Sequence, residues 1–338
     1  MTAAGQAAAR GLGLLLGYAA DRVFGDPRRY HPVAGFGATA NALEKRLYAD
    51  SRCRGAVHVT VLAGGAVALG FAADRVTRRS AAATVAVTAA ATWAVLGGRS
   101  LDREAGAVHA LLVSGDLPGA RERLTHLVGR DTSRLGPGEV ARAVVESVAE
   151  NTSDAVVAPL TWGAVAGIPG LLGYRAANTL DAMVGHHNER YERFGWASAR
   201  LDDLANLPGA RLAGLLTLAV SPARAVAGWR VWCRDAAGHP SPNAGVIEAA
   251  FAGVLGIRLG GTNVYYGARV EHRAIMDGGR PAEPEDIPRA TVLARRVGLA
   301  AAVSTAVAAA WTAAVTGAGR GPDRLPRPAR RRPQGTTR

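Results

Sequence analysis

Three carboxylates recur every four residues, at Glu146, Glu150 and Asp154. On an α-helix this spacing places all three along one face, within about 80° of rotation. Because like charges held so close repel each other, the arrangement suits a bound divalent cation; a solvated helix face is the alternative. Asn151 lies within the run and an apolar segment begins directly after it, so we favour the cation site.

A second polar stretch follows that apolar segment. If it is helical, Asn178, Asp181 and Asn188 fall on one face, and an aspartate with two amides suits Mg²⁺ or a carboxamide. His186 and Arg190 point elsewhere around the helix and suit a phosphate or a carboxylate.

Three shorter motifs complete the polar set. Asp202-Asp203 suits Mg²⁺, and the start of a helix is the alternative. Residues 129–133 offer backbone N–H groups, two hydroxyls and an arginine, which together can cradle an anion. Residues 239–243 form a rigid, polar loop. An ordinary turn is the alternative for both loops.

Membrane helices are predicted to position these residues. Six apolar segments are candidates, since crossing a bilayer takes about 20 residues. They are residues 11–20, 55–73, 81–97, 155–173, 207–228 and 297–319. We find no strand alternation and expect a loop at residues 260–267. The sequence therefore predicts an all-α, polytopic membrane protein with four to six membrane-embedded helices and polar helical loops that carry the site. A buried helical core is the alternative for each weaker segment.

The segment 155–173 lies between two groups of polar residues that one site would have to combine. If it crossed the bilayer fully, the acids before it and the polar residues after it would lie on opposite sides. Pro159, Pro169 and four glycines make it a candidate for a broken or re-entrant helix, which is tolerated where the backbone is buried in protein or lines a cavity.

Composition and missing motifs narrow the partners and the enzyme classes that the sequence allows. The formal net charge is +13, Lys45 is the only lysine, and the sequence contains no nucleic-acid-binding motif. We therefore expect a lipid bilayer, and no nucleic acid, as a partner. The Arg/Pro-rich tail at 320–338 is predicted to be disordered, after a single integral-membrane domain at 1–319. A P-loop, a nucleophile elbow and a lysine suited to pyridoxal phosphate are all absent from the sequence.

The ordered polar blocks resemble one known family over residues 11–280: the CobD/CbiB membrane proteins of cobalamin biosynthesis, the adenosylcobinamide-phosphate synthases. Each block alone is weak evidence for the resemblance, whereas the ordered set is highly specific to this family. The blocks are Gly25-Asp26-Pro27 with His31-Pro32-Val33, Gly129-Arg130-Asp131-Thr132-Ser133, residues 146–154, Tyr174-Arg175 with Asn178-Thr179-Leu180-Asp181, Asn188-Glu189-Arg190-Tyr191, Asp202-Asp203-Leu204-Ala205-Asn206, residues 239–245 and Leu259-Gly260-Gly261.

The resemblance implies a carbon–nitrogen ligase of the cell membrane. It would join aminopropanol, or its O-phosphate, to a propionate carboxyl of adenosylcobyric acid, with ATP driving the reaction and Mg²⁺ as cofactor. Other late enzymes of the same pathway are implied as partners. We assign metal binding to Glu146, Glu150, Asp154 and Asp181, and catalysis to His186, Asp202 and Asp203. We assign substrate or phosphate binding to Arg130, Asp131, Thr132, Ser133, Asn151, Arg175, Asn178, Asn188, Arg190, His239 and Asn243.

Two other functions fit parts of the sequence. A corrinoid transporter or assembly component would also need membrane helices, although a transporter's site lies at mid-span and these polar residues cluster at segment ends. An intramembrane prenyl-type transferase would need two acidic motifs facing one cavity, which Glu150/Asp154 and Asp202/Asp203 imitate loosely.

Overall fold

The computed structural model describes residues 2–26, 31–186, 188–265 and 269–318. Its helices are α1 (Ala3–Phe24), α2 (Pro32–Leu47), α3 (Arg52–Thr77), α4 (Ala81–Val95), α5 (Gly98–Val113), α6 (Leu117–Leu124), α7 (Pro137–Thr152), α8 (Ala158–Val184), α9 (Trp196–Ala219), α10 (Ala225–Asp235), α11 (Ala244–Leu255) and α12 (Asp286–Ala318). The strands are β1 (Ile257–Tyr265), β2 (Arg269–Asp277) and β3 (Arg280–Pro281). The predicted helical membrane class is confirmed.

Four stretches of the described chain are long and apolar enough to cross a bilayer: Arg52–Thr77, Ala81–Val113, Pro137–Val184 and Asp286–Trp311. They contain three of the predicted segments whole, 55–73, 81–97 and 155–173, and most of a fourth, 297–319. The predicted segment 11–20 lies within α1, which does not meet the same test. The tail at 320–338 and His187 lie outside the described residues.

The weaker candidate segment at 207–228 contains a sharp bend. The axis bends by 99° between α9 and the helical stretch that begins at Pro222. Proline lacks the N–H that would continue the helix and disfavours the helical conformation of the residue before it. The bent pair counts as a fifth span at most, so four or five spans agree with the predicted four to six.

Small residues let the membrane-type helices approach closely. Gly13 and Gly17 of α1 face Thr88 and Thr92 of α4, with no room for a Cβ at either glycine. This is the small-residue spacing by which membrane helices pack. The outer face of α3 instead exposes apolar side chains such as Phe71, which is 63% exposed, as a lipid-facing surface would.

The segment 155–173 folds back on itself, which confirms the predicted broken helix. A five-residue π-helical turn, Ser153–Val157, connects α7 to α8. Within α8, Gly167 has φ 67° and ψ −146°, and Pro169 follows. The Tyr174 hydroxyl lies 3.0 Å from the backbone oxygen of Asp154. Twenty residues of straight helix would separate these two positions by about 30 Å, so the chain must reverse direction at Gly167.

The expected loop at residues 260–267 is wrong for residues 260–265, while 266 and 267 lie outside the described residues. Residues 257–265 form β1, which pairs antiparallel with β2 and parallel with β3 in the order β2-β1-β3. A β-bulge between Leu259 and Gly261 shifts the register, and Gly260 and Gly261 have φ of 81° and 94°. The bulge interrupts the two-residue alternation by which a strand is recognised in sequence.

Candidate functional site

The two flanks of the doubled-back segment meet at a polar cluster beside the π-helical turn. The Tyr174 hydroxyl bridges the Asp154 backbone oxygen and Asn206 Oδ1, 2.6 Å away. Asn206 Nδ2 donates to Asp202 Oδ2 at 2.9 Å, and Asn178 Nδ2 donates to Asp202 Oδ1 at 3.2 Å. These five residues are called the Asp154 cluster below. Two amides and a tyrosine thus hold the Asp202 carboxylate of α9 near the π-helical turn.

Like charges accumulate around this cluster. The Asp154 carboxylate lies within electrostatic range of Asp202, Glu150 and Asp181. The strongest interactions of the Asp154 and Asp202 side chains are with acids, amides and a hydroxyl. Arg175 is the nearby cation, and its buried Nε has no hydrogen-bond partner in the described part of the chain. The structure thus brings together residues that the sequence placed on either side of an apolar segment.

Glu146 takes part in a different contact. Its Oε2 accepts from Arg130 Nη2 at 2.5 Å and its Oε1 accepts from the Gly260 N–H at 2.9 Å. Both side chains of the ion pair are buried, at 6% and 2% exposure for Arg130 and Glu146. Arg142 lies 3.8 Å from Glu146, and Arg130 also donates to Asn263. The pair joins α7 and the 129–133 loop to β1. Metal binding by Glu146 stays a prediction, and a metal ion would have to compete with Arg130 for the carboxylate.

The 129–133 loop is an ordered turn. The Ser133 N–H donates to Asp131 Oδ1 at 2.9 Å, which lowers the pKa of Asp131, and the Thr132 hydroxyl donates to the Arg121 carbonyl at 2.9 Å. Arg130 borders a polar cavity of about 130 Å³. The cavity is lined by Leu127, Val128, Gly129, Arg130, Glu146, Ser147, Glu150 and Arg273. Anion binding by this loop stays a prediction.

Glu150 belongs to a second cluster, with His239 and Glu248. One ligand atom from each of the three lies within 4.8 Å of the others, and we call this set the Glu248 cluster. His239 Nε2 lies 3.5 Å from Glu248 Oε1, and its Nδ1 lies 3.2 Å from the Ser241 carbonyl oxygen. Burial lowers the pKa of His239 and raises that of Glu248 well above its usual value.

Sequence reasoning missed Glu248 altogether. It is the single acid within α11, the apolar helix Ala244–Leu255. An ionisable residue on such a helix is rarely buried without a partner, and that was the signal in the sequence. Tyr174 and Asn206 were also absent from the predicted site, although both lie in the family blocks.

The remaining predicted residues make local contacts. The His186 side chain is exposed, Asn188 Oδ1 accepts from the Tyr191 N–H at 2.9 Å, and Arg190 donates to Glu44 Oε1 at 3.0 Å. None of the hydrogen bonds or ion pairs found within the described ranges joins these three to the Asp154 cluster.

The side chains of two further predicted residues hydrogen-bond to backbone carbonyls. Asn151 Nδ2 donates to the Ser147 carbonyl at 2.9 Å, one turn earlier on α7. Asn243 Nδ2 donates to the Asp203 carbonyl at 2.8 Å and its Oδ1 accepts from Arg211 Nη1 at 2.7 Å. Asn243 thereby ties the 239–243 loop to α9, next to Asp202.

Comparison with known proteins gives a consistent result. The model of the CobD/CbiB protein family matches residues 14–294. The chain is 51% identical over 300 residues to a "Cobalamin biosynthesis protein CobD" of Mycobacterium tuberculosis, covering 87% of this chain and 94% of the relative. It is 47% identical over 274 residues to the protein of that name from Geobacter metallireducens, covering 79% of this chain and 85% of the relative. No solved structure matches the chain significantly.

Proposed function

The chain belongs to the CobD/CbiB protein family, a family of cobalamin biosynthesis, and on that premise we propose that it is an ATP-dependent amide synthase. It joins aminopropanol, or aminopropanol O-phosphate, to a propionate carboxyl of adenosylcobyric acid. The observation that carries the proposal is the meeting of acids, amides and Arg175 at the doubled-back helix. A ligase needs these groups in one place, and a straight span would have separated them.

The reaction requires the carboxyl to be activated, because a carboxylate oxygen is a poor leaving group. Transfer of the γ-phosphoryl group from ATP gives an acyl phosphate and ADP. The free amine then attacks the acyl carbon, the C–N bond forms, and phosphate leaves with the C–O bond electrons. The amine loses one proton to a base.

The Asp154 cluster suits Mg²⁺, whose ligands are carboxylate and other oxygens. We propose that Asp154 and Asp181 hold it, with Glu150 contributing to the same negative field. When bound, the ion would neutralise charge on the reacting phosphates. Arg175 is placed to contact those phosphates, because a buried guanidinium with an unpartnered Nε is a ready donor to an anion. Arg130 would contribute from the polar cavity.

For the base we propose Asp203 rather than His186. Asp203 adjoins Asp202, and its own carbonyl is fixed by Asn243. His186 lies beyond the end of α8 with an exposed side chain. Asp202 is held by two amide donors and is assigned to positioning. We place the enzyme in the cell membrane, where other late enzymes of the pathway would be its partners.

The activity is tested with purified protein in lipid. Adenosylcobyric acid, ATP and Mg²⁺ are supplied with either amine, and the corrinoid product is weighed by mass spectrometry. We expect one amine to be incorporated, with ADP formed in equal amount. No mass gain with either amine would remove the proposed function.

The site is tested separately with Asp154→Asn and Asp181→Asn. Each is expected to lower kcat at least tenfold, because each removes a charge from the proposed Mg²⁺ site. Asp50→Asn is the matched control, since Asp50 is 60% exposed and pairs only with Arg193 among the described ion pairs. Full activity in both site variants would exclude the metal assignment while leaving the reaction standing.

A further inference from the structure

We propose that Glu150, His239 and Glu248 bind a divalent transition-metal ion, Zn²⁺ or Mn²⁺, at a site separate from the Mg²⁺ site proposed above. Their ligand atoms lie within 4.8 Å of one another. Ligands about 2.0–2.2 Å from a tetrahedral ion are about 3.3–3.6 Å apart, so a side-chain movement of about 1 Å closes the set. Glu150 can make it, because its side chain is 32% exposed.

The buried ligand atoms lack hydrogen bonds. Both carboxylate oxygens of Glu248 and the Nε2 of His239 are buried without a hydrogen bond from any described residue. The two side chains are only 0% and 3% exposed. Proteins keep buried carboxylates hydrogen-bonded, paired or bound to metal, and the Arg273 guanidinium approaches Glu248 only to 3.8 Å, beyond hydrogen-bond distance.

The histidine ring is held by the backbone of Ser241 and presents Nε2 to Glu248. Its Nδ1 lies 3.0 Å from the Ser241 amide nitrogen and 3.2 Å from the Ser241 carbonyl oxygen, so Ser241 offers both a donor and an acceptor to this ring nitrogen. Nε2 faces Glu248 at 3.5 Å. A metal at Nε2 would select the tautomer in which Nδ1–H donates to the carbonyl, the usual support of a metal-bound histidine.

The local charge also calls for a cation. Arg273 lies 3.4 Å from Glu150, 3.8 Å from Glu248 and 3.1 Å from Glu271, so one guanidinium is shared among three carboxylates. With all three carboxylates ionised, the formal charge of this group is −2, which a divalent ion neutralises. Glu146 adds nothing to the deficit because Arg130 pairs with it at 2.5 Å.

The donor set selects the type of ion. One imidazole with two carboxylates is a ligand set of Zn²⁺ and Mn²⁺, whereas Mg²⁺ sites are built from oxygen alone. Neither Cys53 nor Cys233 belongs to the cluster, so thiolates play no part. Because Glu150 also lines the polar cavity, the ion would sit at the cavity wall.

Metal content is the direct test. The full chain is purified in detergent without chelator or affinity metal, and Zn and Mn are measured by inductively coupled plasma mass spectrometry. Wild type is expected to retain a stoichiometric amount of one of them. Glu248→Gln and His239→Gln are expected to lose at least nine-tenths of it. Glu271→Gln is the matched control: it alters the same Arg273 contact without removing a ligand, and it should keep the metal.

A second measurement on wild type alone guards against misfolded variants. Chelated protein is titrated with Zn²⁺ or Mn²⁺, and the melting temperature is followed with Mg²⁺ as the comparison. A rise with the transition ion and none with equal Mg²⁺ supports the site. Metal-free wild type that neither binds nor is stabilised by either ion would overturn it. Because no corrinoid or ATP is used, that failure leaves the amide synthase proposal untouched.

Discussion

Replacing Gly167 by alanine tests whether the reversal in α8 builds the site. Gly167 has φ 67° and ψ −146°, a conformation that is open to glycine and strained for any residue with a Cβ. An added Cβ would lie 2.8 Å from the guanidinium of Arg10, which is the flexible end of a side chain and can move. The cost of the substitution is therefore dominated by backbone strain, of about 1–3 kcal/mol.

That cost has two expected consequences. A loss of this size lowers the melting temperature by several degrees, at roughly 2–4 °C per kcal/mol for chains of 150–250 residues. The strain also disfavours the reversal that holds Tyr174 against Asp154 at 3.0 Å, so synthase activity should fall further than stability. Circular dichroism melting in detergent and the mass assay of the corrinoid product measure the two effects.

The matched control is Gly64→Ala. Gly64 lies inside α3 with nothing within 4 Å of the position that a Cβ would occupy, and alanine is favoured over glycine in a helix by about 0.5–1 kcal/mol. This variant should melt at or above the wild-type temperature with unchanged activity. If Gly167→Ala behaves like Gly64→Ala in both assays, the strained reversal is not what positions the site.

Two other substitutions probe the buried contacts. Arg130→Met leaves the Glu146 carboxylate buried beside an apolar side chain, so we expect the free energy of unfolding, measured with denaturant, to fall by about 3–5 kcal/mol. The control is Arg134→Met at an exposed position, which should leave the free energy of unfolding unchanged. An Arg130→Met protein as stable as wild type would mean that the ion pair is dispensable. Tyr174→Phe removes the hydroxyl that contacts the Asp154 carbonyl. We expect the free energy of unfolding to fall by about 1–3 kcal/mol and kcat to fall as well. An unchanged free energy of unfolding together with an unchanged kcat would contradict the bridging role.

The sequence predicts the helical class because the period and length of apolar runs are local properties. The segments 55–73 and 81–97 each lie within a helix or end just past one, as predicted. The bend between α9 and α10 is also local, since Pro222 marks it, although the sequence prediction treats 207–228 as one candidate segment. The β1–β2 hairpin escaped detection because the glycine bulge disrupts its alternation, and pairing with β2 is a long-range property.

The sequence predicts which residues belong to the site better than it predicts which of them contact each other. The break at residues 155–173 followed from glycine and proline content together with the need to unite two polar flanks. Glu248 could not be assigned a partner from sequence, because His239 and Glu150 approach it only when α7, the 239–243 loop and α11 pack together. Local spacing shows which residues share a helix face and leaves open what faces them.

The three carboxylates at four-residue spacing illustrate that limit. Helix geometry places Glu146, Glu150 and Asp154 on one face, and one shared cation is the simplest consequence. Yet the elements packed against that face differ at each turn, so Glu146 meets Arg130, Glu150 meets the Glu248 cluster, and Asp154 meets the residues of α8 and α9. A single stripe of charge therefore serves three environments: a buried ion pair, a mixed nitrogen–oxygen donor set and an all-oxygen set. Because the middle carboxylate interacts with both donor sets, a cation at either one would alter the field at the other.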